Sequence, residues 1–119
     1  KTMNLKNANN IPLTTVRAGR DTETQILIGP EEGPNFAMRR FVMQPGGGMP
    51  KHTNTVEHEQ YILRGNATIG IGDQEINVER DDVVFIPAET PHWYRAKGNE
   101  PFEFLCIVPN LTDKITIVD

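Results

Sequence analysis

The sequence predicts an all-β fold, either a sandwich or a closed barrel. No stretch of about 11 residues carries apolar side chains at helical spacing. Short runs rich in Val, Ile and aromatic residues recur instead, and Gly, Pro and Asp turns separate them. Roughly ten such runs within 119 residues are typical of one β domain built around one hydrophobic core.

The elements can be placed in order along the chain. Residues 1–12 are polar and Asn-rich and are predicted to form a loosely attached arm, and residues 13–119 the barrel domain. The predicted strands are residues 13–16, 24–28, 35–44, 58–63, 67–71, 75–78, 83–86, 92–96 and 102–108. The tail 111–119 alternates enough to pair with a sheet edge, either here or on another subunit.

Turn residues set the limits of these strands. Gly29-Pro30 and Gly33-Pro34 predict a loop. Pro45 and the three glycines after it predict that the third run, residues 35–44, ends there in a turn. Gly72-Asp73, between two alternating runs, predicts a β-hairpin.

Composition excludes several classes of protein. A net charge of −4 with no Lys/Arg-rich run disfavours nucleic-acid binding. No apolar stretch approaches the roughly 20 residues that span a bilayer, so no membrane association is expected. Cys106 is the one cysteine, which rules out an internal disulfide and favours a reducing, cytoplasmic location.

The three histidines suggest a metal site. His52 and His58 lie six residues apart with Asn54 between them, a spacing that places all three side chains on one face of an extended strand. His92 would enter from a second strand. Histidine clusters of this kind are typical ligands of divalent transition metals.

The same residues resemble the two motifs of the cupin superfamily. The first is matched by Gly46, His52, Asn54, His58 and Gly65, and the second by Asp81, Pro87, Glu89 and His92. The chain is most similar to small single-domain cupins whose metal is held by histidines alone. The resemblance implies a jelly-roll barrel that forms a homodimer and holds one divalent metal through His52, Asn54, His58 and His92. Manganese or iron is the first choice, with nickel, copper or zinc as alternatives.

Asn54 departs from that pattern, in which a histidine is usual. An amide oxygen is a weaker donor than imidazole, so Asn54 could ligate weakly, hold a metal-bound water or leave a position vacant. A barrel that has lost its metal is the alternative interpretation. Against it, every histidine in the chain falls on a ligand position.

Strand parity and the resemblance supply further candidates. Gln60 and Ile62 share the parity of His58 and are predicted to line the substrate pocket. Glu103 is predicted to face solvent, which turns Phe102, Phe104 and Cys106 inward, with Phe104 as a pocket wall. Cys106 would be either a buried hydrophobe or a thiol near the metal.

Two more side chains are candidates for a chemical role. Tyr94 shares the parity of His92 and could offer an interior hydroxyl. Of the adjacent pair Arg39 and Arg40, one must face inward if this strand lines the barrel. Parity does not decide between them, and Arg39 is named as the candidate. An inward arginine would suggest a carboxylate or phosphate ligand, and a surface position at the barrel mouth is the alternative.

The predicted function is that of a metal-dependent oxygenase acting on a small organic substrate inside the barrel. The position of the family glutamate is taken by His58, which removes an obvious general base and favours redox chemistry. A metal-dependent lyase or isomerase, or a non-catalytic module that binds a small molecule or a metal, are the alternatives.

Overall fold

The computed structural model describes residues 3–118 and shows an all-β jelly-roll barrel, which confirms the predicted fold class. Ten strands form one curled antiparallel sheet. They are β1 (Thr14–Thr15), β2 (Arg20–Ile28), β3 (Phe36–Asn54), β4 (His58–Arg64), β5 (Asn66–Ile71), β6 (Gln74–Glu79), β7 (Val83–Ile86), β8 (His92–Lys97), β9 (Phe102–Pro109) and β10 (Ile115–Ile117). Within residues 3–118 no helix is long and apolar enough to cross a bilayer.

Strand β3 is the central element of the sheet, and it corrects one prediction. Pro45 and the glycines after it do not end the strand in a turn, because β3 runs without a break from Phe36 to Asn54. Its first part pairs with β2 and β9, and from Gly48 onward it pairs with β8. The Pro-Gly segment is therefore where β3 leaves one set of partners for another, as kinks and bulges do at barrel corners.

The backbone at this corner requires glycine. Gly46 has φ +83°, a left-handed value that favours glycine over other residues. A Cβ atom on Gly48 would lie 1.9 Å from the carbonyl oxygen of Tyr94. The missing side chain at Gly48 lets β8 approach, and β8 carries His92.

Residues 6–11 and strand β10, near the two limits of the described residues, lie against the rest of the barrel. The amide of Gln25 donates to the carbonyl oxygens of Ala8 and Ile11, while Lys6 forms an ion pair with Glu32. The hydrogen bond from Lys6 is the main reason that the pKa of Glu32 falls to about 2. At the other end, β10 pairs with residues 52–54 of β3 in the same chain, so the tail runs beside His52.

The hydrophobic core lies inside the curled sheet. Its members are Met43, Ile62, Ala67, Ile69, Val78, Val84, Ile86, Tyr94, Ala96, Phe102, Phe104 and Cys106. Phe104 and Cys106 are buried as predicted. The prediction that Glu103 faces solvent is wrong: only 7% of this residue is exposed, because Arg40 and Arg64 cover its carboxylate.

Candidate metal centre

Three strands bring the histidines and Asn54 together. His52 and Asn54 lie at the end of β3, two residues apart on one face, and His92 begins β8 opposite His52. Strand β3 ends at Asn54, and residues 55–57 connect it to β4. His58 therefore begins a new strand and does not continue the strand of His52, as the spacing suggested. All four side chains are buried, and His92 is only 1% exposed.

The imidazoles of His52 and His92 are held by their own strands. Each Nδ1 lies within hydrogen-bond distance of the carbonyl oxygen two residues earlier, 2.8 Å from Pro50 for His52 and 2.9 Å from Thr90 for His92. A carbonyl oxygen can only accept, so each Nδ1 carries the proton and each Nε2 keeps its lone pair. This tautomer leaves Nε2 free to ligate a metal.

His58 is the most strongly perturbed of the histidines. Its Nδ1 lies 3.4 Å from the Cys106 sulfur, and its Nε2 is buried without a hydrogen-bond partner. Burial, followed by the nearby Arg39 charge, lowers the pKa of His58 to about 3. Burial likewise lowers the pKa of His92 to about 4. Both rings are therefore neutral at pH 7, as metal ligation requires.

Asn54 is oriented by a residue that sequence reasoning missed. Its amide nitrogen donates to Asp113 Oδ2 at 2.9 Å, and the backbone N–H of Thr55 donates to the other carboxylate oxygen at 3.0 Å. An ionised carboxylate only accepts, so Asn54 must turn its nitrogen toward Asp113. Its Oδ1 is consequently buried and has no partner. Asp113 follows no strand pattern, and no periodicity in the sequence marks it.

The donor groups are close together but do not converge on one point. The ring centres of His52 and His92 are 4.2 Å apart, and those of His58 and His92 are 5.7 Å apart. As placed, no three His, Cys, Asp or Glu side chains among residues 3–118 are close enough to hold an ion. The chemistry of the set nevertheless fits a divalent metal: neutral imidazoles together with unpaired buried atoms on His58, His92 and Asn54.

A cavity of about 290 Å³ opens beside these groups. The candidates Gln60, Tyr94, Phe104, Cys106 and Arg39 all line it, together with the three histidines and Asn54. Sequence reasoning did not identify the other lining residues, which are Val16, Thr24, Ile26, Phe41, Met43, Met49 and Ile115.

Ile62 does not line this cavity and corrects the prediction made from parity. It is fully buried in the hydrophobic core.

Polar contacts fix the side chains on the cavity wall. The amide nitrogen of Gln60 donates to the Tyr94 hydroxyl at 2.6 Å and lies 3.7 Å from the Cys106 sulfur. Burial raises the pKa of Tyr94 and also raises the pKa of the Cys106 thiol. Both groups are therefore protonated and uncharged at pH 7.

Among the described residues, no carboxylate lines the cavity. Glu57 and Glu59, which flank His58, are exposed. A shared hydrogen bond with Glu57 raises the pKa of Glu59 to about 7, but this pair lies on the outside of β4. The interior therefore offers imidazole, amide, phenol, thiol and guanidinium groups, and no general base of the carboxylate type.

Comparison with known proteins assigns the chain to a family. A family model described as a cupin domain matches residues 39–108, more than half of the chain. The chain belongs to the cupin family. The match runs from Arg39 through the ligand positions of β3, β4 and β8 to the last residues of β9, so it spans the candidate metal centre.

Individual cupins resemble the chain over most of its length. A 1-methylthio-D-xylulose 5-phosphate methylsulfurylase from Rhodospirillum rubrum is 30% identical over 80% of this chain and 60% of its own length. A cupin 2 domain-containing protein from Halorhodospira halophila is 31% identical, with TM-score 0.78 over 82% of this chain and 70% of that one. The polyketide cyclase RemF from Streptomyces resistomycificus is 24% identical, with TM-score 0.91 over 99% of this chain and 87% of that one. The chain spans less than two thirds of the methylsulfurylase, and the likeness to RemF is one of fold.

Proposed function

We propose that this cupin is a metal-dependent oxygenase acting on a small organic substrate held in the barrel. The observation that carries the proposal is the set of buried, unpaired donor atoms, Nε2 of His58 and His92 and Oδ1 of Asn54, at a cavity with aromatic and aliphatic walls. His52, Asn54, His58 and His92 would hold the metal, with manganese or iron as first choice. When bound, the metal supplies open coordination positions at which substrate and dioxygen meet.

The residues of the chain contribute exclusion of water and a fixed polar wall. Phe41, Phe104 and Met43 keep the cavity apolar on one side, which protects a reactive species from water. Gln60 holds the Tyr94 hydroxyl in place, so its proton is available to a bound oxygen atom of the substrate. The free, buried thiol of Cys106 fits a reducing, cytoplasmic location.

The absence of an interior carboxylate among the described residues favours redox chemistry over proton abstraction. Enzymes that remove a proton next to a carbonyl group need a base with a suitable pKa within reach. Here His58 and His92 are needed as ligands and have lowered pKa values, while Tyr94 and Cys106 remain protonated.

A lyase or isomerase that uses the metal as a Lewis acid is the second candidate. The protonated Tyr94 hydroxyl, which faces the cavity, favours it because this group could donate a proton or a hydrogen bond to an enolate. A polyketide cyclase and a methylsulfurylase, by their names not oxygenases, are also among its cupin relatives.

Oxygen uptake tests the proposal directly. Protein loaded with manganese or iron would be supplied with phenolic, alkenyl and thiol compounds in an oxygen electrode, and products would be followed by mass spectrometry. We expect uptake that depends on one compound class and is absent from His92→Ala. Product formation without uptake would instead support the second candidate. Metal binding with no turnover of any compound would indicate a binding module and contradict both.

A further inference from the structure

Arg39 is a cationic side chain in the cavity wall, and no carboxylate of the described residues balances its charge. Its Nη2 lies 3.3 Å from the Cys106 sulfur, and its Nε is buried without a hydrogen-bond partner. No Asp or Glu among residues 3–118 is within ion-pair distance of it. Arg39 as a whole is half-buried, and a cation partly removed from water without an anion is costly, so such a group is normally matched by a charged ligand.

The neighbouring residue, Arg40, has the anionic partner that Arg39 lacks. Arg40 points to the other side of β3, where it forms an ion pair with Glu103 and donates to Gln25 Oε1 at 3.0 Å. The two arginines are adjacent in one strand and pair with adjacent residues of β9. Arg40 has an anionic partner in the protein, whereas Arg39 lines the cavity and has none among the described residues.

Stacked aromatic rings hold the Arg39 guanidinium in place. Its central carbon lies 5.1 Å from the centre of the Phe41 ring. Phe41 stacks on Phe104 at 5.2 Å, and Phe104 stacks on Tyr94 at 5.2 Å with only 11° between the ring planes. The guanidinium therefore lies at one end of a row of three aromatic rings in the cavity wall. This contact orients the N–H groups of the guanidinium before any ligand binds.

The same guanidinium is a neighbour of the histidine cluster. The Cys106 sulfur that it contacts also lies 3.4 Å from His58 Nδ1. A group bound to Arg39 thus lies beside the candidate metal ligands, with the aromatic row next to it.

We infer that the cavity binds a small organic monocarboxylate whose carboxylate pairs with Arg39 and whose carbon skeleton lies along the aromatic row. Arg39 is the one Lys or Arg among the described lining residues, so the metal-free cavity offers one positive charge, which matches a carboxylate better than the double charge of a phosphate monoester. A guanidinium can offer a carboxylate two parallel N–H donors. The inference rests on the proposed function, because it names the substrate class of the same site.

Binding of a matched acid and amide tests this assignment. Titration calorimetry would compare 3-phenylpropanoate, 3-phenylpropanamide and phenyl phosphate, first on the metal-free full chain and then on the manganese-loaded chain. We expect the metal-free wild type to bind the acid at least about tenfold more tightly than the amide, as for a charge-assisted pair. Arg39→Gln should remove this preference, and Arg39→Lys should keep only part of it, since ammonium lacks the fork.

Arg95→Gln is the matched control. The Arg95 guanidinium also stacks on an aromatic ring, that of Trp93 at 5.0 Å, but Arg95 is exposed and does not line the cavity. This variant should keep the preference for the acid. Thermal unfolding would establish that each variant is folded, and the comparison of acid with amide on the wild type needs no variant.

Three results would overturn the inference: equal binding or no binding of acid and amide by the wild type, tighter binding of phenyl phosphate, or an unchanged preference in folded Arg39→Gln. Metal content, measured separately, tells the two proposals apart. A chain that prefers the acid but takes up no metal contradicts the oxygenase proposal alone. A chain that takes up metal but shows no preference contradicts the carboxylate assignment alone.

Discussion

At the scale of single residues, Asp113 fixes the orientation of the Asn54 side-chain amide. Its carboxylate holds the amide nitrogen of Asn54 and the backbone of Thr55, which leaves Asn54 Oδ1 directed away from the loop and unpaired. Asn54 would therefore ligate a metal through an oriented oxygen, or hold a water at that position. Partners that orient ligands are a normal part of metal sites.

We predict that Asp113→Ala lowers metal affinity by roughly 10- to 100-fold, the usual cost of removing a group that orients a ligand. Without the carboxylate, the Asn54 amide can rotate and present its nitrogen, which cannot ligate. Competition against a fluorescent chelator would measure the affinity. Asp73→Ala, in the exposed turn between β5 and β6, is the control and should bind like the wild type. Equal affinities for both variants would show that Asp113 does not orient the site.

The buried histidines predict how the stability of the metal-free protein depends on pH. Burial lowers the pKa of His58 from 6.5 to about 3 and that of His92 from 6.5 to about 4. The unfolded chain therefore binds more protons than the folded chain below pH 6.5. The stabilising contribution is complete above pH 6.5 and is lost as the pH falls toward 4 and then 3.

Urea unfolding of the metal-free chain between pH 8 and pH 4 would measure this loss. We expect the midpoint to fall steadily below pH 6.5 in the wild type and to fall less in His58→Gln, which has no imidazole to protonate. A midpoint that stays level across this range would mean that the rings are more accessible to water than the structure indicates.

The sequence predicted the histidine set because histidine is rare here and the spacing of all three matches the two cupin motifs. It could not predict Asp113, whose role depends on β10 folding back beside β3. It also misjudged Glu103. Parity gives the face on which a side chain lies, but it does not reveal that two long arginines from β3 and β4 cover that face.

At the scale of elements, β3 links the site to the rest of the barrel. Its first part carries Arg39 and Phe41, and its last part carries His52 and Asn54. The sequence separated these parts because Pro followed by glycines usually marks a turn. The strand continues because the glycines let the backbone bend and approach β8 closely, which depends on a distant segment and leaves no local signal.

We predict that Gly48→Ala destabilises the fold by about 3 kcal/mol or more, because its Cβ would collide with the backbone of Tyr94, which cannot rotate away. Thermal and urea unfolding would measure the change. Gly72→Ala is the control: its Cβ meets nothing within 4 Å, although φ is +61°, so we expect a loss of about 1–2 kcal/mol from backbone strain alone. Similar losses for both variants would argue against the close packing of β3 on β8.

At the scale of the whole molecule, strand β2 suggests how two copies could associate. β1 covers β2 only at Glu23 and Thr24, so among the described residues no strand covers the rest of that edge. Ile26, Ile28 and Phe36 are exposed by 57%, 39% and 62%. Uncovered edges with apolar side chains tend to pair. We propose a homodimer formed through β2.

Light scattering coupled to gel filtration would measure its mass. We predict twice the 13.4 kDa of one chain for the wild type, and a mass close to one chain for Ile28→Lys, since a charge at the edge opposes pairing. Phe85→Lys places the same charge on the exposed face of β7 and should remain dimeric. A wild type with the mass of one chain, or dissociation of Phe85→Lys but not of Ile28→Lys, would contradict a β2 interface.

The central claim is that the histidines of β3, β4 and β8 hold a metal together with Asn54. Elemental analysis of protein purified without an affinity tag or added metal tests it most directly, with His92→Ala analysed alongside. We predict about one equivalent of a divalent transition metal per chain in the wild type, as for a single-metal site, and almost none in folded His92→Ala. A wild type that carries no metal and cannot be loaded, or a variant that retains the full equivalent, would contradict the claim.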